Sequence, residues 1–233
     1  MKTETLALLN VERAARRPVI VVTNISDGIQ RLVKAVDFAA DPLHAELEKQ
    51  LRMGKSAMVE VDGKKQFLNV YAPTAKLVII GAVHISQALA PLARSLDYDV
   101  TVVDPRTAFA SPERFPDVKL IAEWPDEALP PLGIDRWTAF VAVTHDPKID
   151  DPALMHAFEK GCFYIGALGS RKTHAKRLDR LKDQGATDAD LAKIKAPIGL
   201  NIGAVSPSEI AVSIMAEITA ELRLPKDAKA SAA

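Results

Sequence analysis

Apolar positions along the chain follow two regimes that change near residue 73. In the first, Leu6, Leu9 and Val11 are set toward a core and Arg13, Arg16 and Arg17 toward water, so residues 1–17 predict a short amphipathic helix. Pro18 precedes Val19-Ile20-Val21-Val22-Thr23, a β-branched run typical of a buried strand, and Asn24 to Gly28 reads as a loop. Behind Asp41-Pro42, Leu43, Leu47 and Leu51 recur at helical spacing, so a helix opens there and stops at Gly54. Residues 57–71 read as a hairpin in which Met58–Val61 and Phe67–Tyr71 flank Asp62-Gly63-Lys64-Lys65. Ala72-Pro73 closes an expected small α+β domain, residues 1–73.

From Lys76 onward the apolar runs alternate between strand and helix character. Strands are expected at Leu77–Ile80, Val100–Asp104, Ala139–Thr144 and Phe163–Leu168. Helices are expected at Gln87–Leu96, behind a cap at Asp151-Pro152, and from Ser170 to about Gln184. Ser206-Pro207-Ser208-Glu209 is a capping box with proline at the first helical position, and Ile210, Ile214 and Ile218 then stripe one face. This alternation calls for a parallel sheet covered by helices. The expected class is therefore α/β, with a Rossmann-like domain over residues 74–225 and a frayed tail over 226–233.

Composition narrows the setting. The 233 residues carry 30 Lys+Arg against 30 Asp+Glu, which gives no electrostatic footprint for nucleic acid or an anionic membrane. No apolar run reaches the length of a membrane span, and the first residues make a poor signal peptide. The only cysteine is Cys162, so no internal disulfide forms and a cytoplasmic protein is expected. Cys162 precedes a buried strand and reads as a small hydrophobe. No His-Cys cluster has metal-ligand spacing, and neither a nucleophile elbow nor a P-loop occurs.

Four segments could hold a ligand. Gly81-Ala82-Val83-His84-Ile85-Ser86 turns from a strand into a helix, where free N–H groups attract anions. Asp104 ends the next strand, where a Rossmann carboxylate meets ribose hydroxyls, but Val83 stands where a dinucleotide fold has its second glycine. The turn is either a ligand cradle or a plain βαβ bend, and His84 either faces a ligand or packs locally. Thr144-His145-Asp146 ends another strand; His145 could transfer a proton with Asp146 orienting it, or the segment is an Asx turn before Pro147. Gly166, Gly169, Ser170 and Arg171 lead from a strand into a basic helix and suit an oxyanion. The alternative there is a capped helix whose basic face, continued by Lys176, Arg177 and Arg180, meets water. Gly199 and Gly203 allow close backbone approach, or simply a tight connection before Ser206.

These segments, in this order, resemble the XdhC/CoxI family. The pieces that carry the resemblance are Gly81 to Pro91, Val100 to Arg106, Arg114-Phe115-Pro116, Thr144-His145-Asp146, Tyr164 to Thr173, Pro197 to Ala204 and Ser206 to Ile218, within residues 74–222. The resemblance implies a Rossmann-like domain that binds molybdenum cofactor (molybdopterin) transiently. It implies a non-catalytic carrier that protects the cofactor during sulfuration and delivers it to an apo molybdenum hydroxylase of xanthine dehydrogenase type. A cysteine desulfurase-type sulfurtransferase would be the second partner, and a homodimer is expected. Two features depart from the family's pattern: Val83 in the first turn, and residues 1–73 without cysteine. An NAD(P)-dependent oxidoreductase is the competing class, and an interaction protein without a ligand of its own is a third.

Overall fold

A computed structural model describes residues 2–225. Among them the chain divides into two compact units, one up to Pro73 with Arg223–Pro225, the other from Thr74 to Leu222. The expected frayed tail lies outside the described residues.

The first unit holds α1 (Thr3–Ala14), β1 (Val19–Asn24), β2 (Gln30–Lys34), a 3-10 segment at Ala35–Ala40, α2 (His44–Met53), β3 (Ala57–Val61) and β4 (Lys64–Tyr71). Its antiparallel sheet runs β2-β1-β4-β3. Val19 to Val22 are all buried because β1 has partners on both sides. Ile20, Val22, Val33, Phe38, Leu43, Leu47 and Leu68 form the core. The β3–β4 turn is only Asp62-Gly63, both at positive φ, so Lys64 and Lys65 belong to the strand. Along α1, Leu9 is buried, whereas Leu6 and Val11 are exposed. The second buried position of this helix goes instead to Glu12, paired with Arg17 and Lys34.

The second unit begins with β5 (Lys76–Ile80), α3 (His84–Ser95), β6 (Asp99–Val103), β7 (Lys119–Ile121) and α4 (Pro125–Ala128). It continues with β8 (Thr138–Ala142), α5 (Pro147–Lys160), β9 (Tyr164–Ala167), α6 (Arg171–Asp183), α7 (Asp188–Leu191), β10 (Ile194–Lys195) and α8 (Pro207–Arg223). The sheet order is β10-β9-β8-β5-β6-β7, with every pair parallel. Because successive strand residues face opposite ways, Leu77, Ile79 and Val141 join one core with Leu89, Ile214 and Ile218. Val78, Ile80, Phe140 and Ala142 join another with Ile149, Leu154 and Leu181. Thus α3 and α8 cover one face, and α5 and α6 the other.

Two helix starts show how local chemistry sets the boundaries. At α8, Ser206 Oγ accepts from the N–H of Glu209 at 3.3 Å, and Glu209 accepts from the N–H of Ser206 at 2.8 Å. That is the expected capping box. At α5 the cap is Asp146, whose carboxylate accepts from the N–H of Lys148 at 2.9 Å, with Pro147 in the first turn. The expected cap at Asp151-Pro152 is wrong by more than one turn. Asp151 is instead buried inside the helix, where Arg180 neutralises it.

Candidate functional site

All six strands of the second sheet run the same way, so the segments that follow them leave at one rim. Gly81, Asp104, Thr144 to Asp146, Leu168 to Ser170 and the loop after β10 therefore share an edge. β5 and β8 are neighbours whose following helices lie on opposite faces, the switch point at which open α/β sheets take ligands.

The first turn is already occupied by the protein's own groups. Asp104, fully buried, accepts from the N–H of Ala82 at 2.7 Å and from Arg106 through Nε at 2.9 Å and Nη2 at 2.7 Å. Burial works to raise the Asp104 pKa, but the Arg106 guanidinium and the N–H groups of Ala82 and Arg106 outweigh it and hold the carboxyl below its ordinary range. Arg114 donates to the carbonyls of Ala82 and Phe109 and to Gln87, closing the turn from above. Gly81 has φ +115°, and a Cβ there would sit 2.8 Å from Thr144 Cγ2. The N–H that would meet a pyrophosphate and the carboxylate that would meet a ribose are thus bonded to each other. This is the physical argument against ordinary dinucleotide binding. His84 is exposed at the start of α3.

The loop after β8 is built around Thr144. Its hydroxyl donates to Asp150 Oδ1 at 2.6 Å and accepts from the N–H of Asp146 at 3.0 Å. His145 is exposed and held at φ +64°, a conformation few non-glycine residues adopt. Asp146 caps α5, so its carboxylate is a helix anchor rather than the expected partner of His145.

Across from this loop, α6 starts at Ser170, whose hydroxyl accepts from the N–H of Thr173 at 3.2 Å. A cavity of about 330 Å³ lies here, lined by His145, Pro147 and Asp150 on one side and Lys172, Thr173, Lys176, Arg177 and Arg180 on the other. Lys172, Lys176 and Arg180 follow a four-residue spacing and so share one face of α6. Arg180 is committed to Asp151 through two hydrogen bonds of 2.6 and 3.0 Å. Arg177 is only 2% exposed; Nη2 donates to the Leu168 carbonyl at 2.8 Å, while Nε and Nη1 have no partner. Asp150 is equally buried, its Oδ2 also lacks a hydrogen-bond partner, and it stands 3.9 Å from Arg177 Nη2. Burial pushes the Asp150 carboxyl up, beyond what Thr144 and the Arg177 charge restore. A buried donor and a buried acceptor are thus both unsatisfied beside an open cationic cleft, where orphan polar groups are normally rare.

The expected site residues therefore sort by place. His145 lines the cavity, and Ser170 caps the helix that carries most of its wall. Gly169, at φ +141°, brings the loop against Thr173 and Arg177. Arg171 is exposed and is not among the lining residues; the guanidinium groups of the site are those of Arg177 and Arg180, which the sequence pattern alone sets on a solvated face. Gly166 serves packing, since a Cβ there would meet Ile198 at 2.5 Å and Tyr164 Oη at 2.7 Å. Gly199 does the same against Ser213 of α8, and its N–H joins Tyr164 in donating to Glu217. Gly203 has open space around it. Lys172 and Thr173 lie at the end of the expected Tyr164–Thr173 segment, whereas Asp150 escapes a reading of the sequence; its signal is a carboxylate one turn into α5 facing the four-residue spacing of basic side chains on α6. Among the described residues no group of His, Cys, Asp and Glu is placed to hold a metal ion, and no helix is long and apolar enough to cross a membrane.

Known proteins are similar to this chain. An uncharacterized protein of Escherichia coli, YqeB, is 36% identical over 154 residues, 65% of this chain and 28% of YqeB. The molybdenum cofactor insertion chaperone PaoD of the same organism is 32% identical over 67% of this chain and 43% of PaoD. A probable xanthine dehydrogenase subunit from Bacillus subtilis is 33% identical over 65% of this chain and 44% of its own length. The matched stretch thus spans less than half of each of these relatives. A crystal structure of a xanthine dehydrogenase from Bacillus halodurans has the same fold, with a TM-score of 0.67 at 24% identity, over 97% of this chain and 66% of that one. The sequence pattern of the XdhC Rossmann domain matches residues 77–218, well over half of the chain, and the chain therefore belongs to the XdhC family.

Proposed function

We propose that this protein carries molybdenum cofactor and delivers it to an apo molybdenum hydroxylase of xanthine dehydrogenase type. The observation that carries the reading is the cationic cavity at the carboxyl rim of the Rossmann sheet, whose lining suits holding a ligand rather than transforming it. The cofactor is cargo: a pterin with a phosphate and a reactive dithiolene. Its phosphate needs donors and positive charge, which Lys172, Thr173, Lys176 and Arg177 offer. The names of PaoD and of the Bacillus subtilis relative support the same reading.

The chain has no thiol suited to relaying sulfur. Cys162 is buried, and burial, with the nearby charge of Asp135, pushes its pKa up to about 12. On this reading sulfur comes from a cysteine desulfurase-type sulfurtransferase, and the carrier shields the cofactor while it is modified. A cytoplasmic homodimer belongs to the same proposal. The test is transfer: the full chain, loaded with cofactor and mixed with apo-hydroxylase, should raise hydroxylase activity faster than free cofactor does. Equal rates with and without the chain would remove delivery from its function.

A further inference from the structure

We infer that the α5–α6 cleft is a seat for a phosphate monoester bound together with one proton, which is shared between a phosphate oxygen and Asp150. The inference deepens the carrier reading and rests on it for the source of the monoester, which it assigns to the pterin's phosphate. The starting point is a mismatch between two buried side chains. Arg177 Nε and Nη1 are donors without acceptors, and Asp150 Oδ2 is an acceptor without a donor. Both side chains are 2% exposed, both line the cleft, and they do not satisfy each other at 3.9 Å. A ligand that completes the set offers acceptor oxygens to Arg177 and a hydrogen-bonding proton to Asp150.

A phosphate monoester meets both needs. Its second pKa lies near ~6, so around neutrality it exchanges readily between a form with a P–OH and one without. Sulfate has no proton to offer at neutral pH, so it satisfies Arg177 but leaves Asp150 facing an anion. The surrounding charges favour an anion in general but do not choose between the two. Lys172 and Lys176 line the cleft, and Arg180 faces it while paired with Asp151. Arg106 acts on Asp150 from the loop after β6, and Asp146 lies at the head of the same helix. His145 also lines the cleft and carries the imidazole that faces it.

Calorimetric titration of the full chain with inorganic phosphate, methyl phosphate and sulfate tests this directly. At pH 7, methyl phosphate should bind about tenfold or more tighter than sulfate, since leaving a buried acceptor unpaired is that unfavourable. Its affinity should fall from pH 6 to pH 8, with proton uptake visible as a dependence on buffer ionisation enthalpy. Asp150→Asn keeps the shape but can donate, so it should abolish the proton uptake and bring sulfate to within about twofold of methyl phosphate. Proton uptake that persists in Asp150→Asn and vanishes in His145→Gln would overturn the inference in favour of the histidine. Equal binding of sulfate and methyl phosphate by the unaltered chain would also overturn it, as would binding of neither. Adenosine monophosphate binding tighter than methyl phosphate would overturn the assignment to a pterin. Cofactor retention measured on the same protein separates the two readings: retention without phosphate selectivity sinks this inference alone, and selectivity without retention sinks the carrier reading and the assignment to a pterin with it, leaving only the seat for a phosphate monoester.

Discussion

A thiol buried as Cys162 is, near the Asp135 carboxylate, holds its proton up to about pH 12. Iodoacetamide at pH 7.5 should therefore leave the folded chain unlabelled and modify Cys162 only after denaturation; rapid labelling of the native protein would show an accessible thiolate. Glu12 is shifted the other way: hydrogen bonds from Arg17 and Lys34 outweigh burial and hold its carboxyl at about 2. A depressed carboxyl stabilises the fold above its unfolded value, here 4.5, and that stabilisation drains away as pH falls toward about 2. Glu12→Gln should flatten the pH dependence of unfolding in this window, measured by denaturant titration at a series of pH values, and an unchanged slope would contradict the assignment. At this scale the sequence shows that α6 is basic but not which guanidinium is buried. Arg171 and Arg177 look alike in the sequence; only the packing of α6 beside α5 takes Arg177 out of water.

Elements with strong apolar periodicity are legible in the sequence, and elements made by pairing alone are not. β1, β5, β8 and β9 announce themselves as β-branched or aromatic runs. β2 reads Gln-Arg-Leu-Val-Lys, and it is a strand because β1 offers it a ladder, not because its residues demand one. β7 and β10 are short edge strands with three and two residues, too few for a period to register. The start of α5 is easily misplaced because two Asp-Pro pairs lie five residues apart, and tertiary contacts decide between them. Asp146→Ala should remove the true cap and lower stability by about 1 kcal/mol. Asp151→Ala should be worse, because Arg180 loses its buried partner; thermal unfolding of both variants would separate cap from ion pair, and the reverse order would contradict the boundary.

At the scale of the whole molecule, parallel strand direction places the ligand loops on one rim, and that much follows from the alternation of strands and helices. The position of the cavity along the rim does not. The first Rossmann turn has a glycine and a following carboxylate that fit a known pattern, yet Asp104 closes that turn by bonding Ala82 and Arg106. NAD and NADP should accordingly give no shift in the melting temperature at millimolar concentration, whereas a clear stabilisation would reopen the oxidoreductase reading. The cleft between α5 and α6 is where uncommitted positive charge and unpaired buried groups coincide. The most direct test of the account is the affinity of the full chain for isolated molybdenum cofactor, measured by equilibrium binding beside a Lys172→Glu/Lys176→Glu variant. Micromolar or tighter binding that weakens about tenfold or more in the variant is expected, since both lysines turn from attraction to repulsion. Equal affinity of the two proteins, or no binding by either, would contradict it.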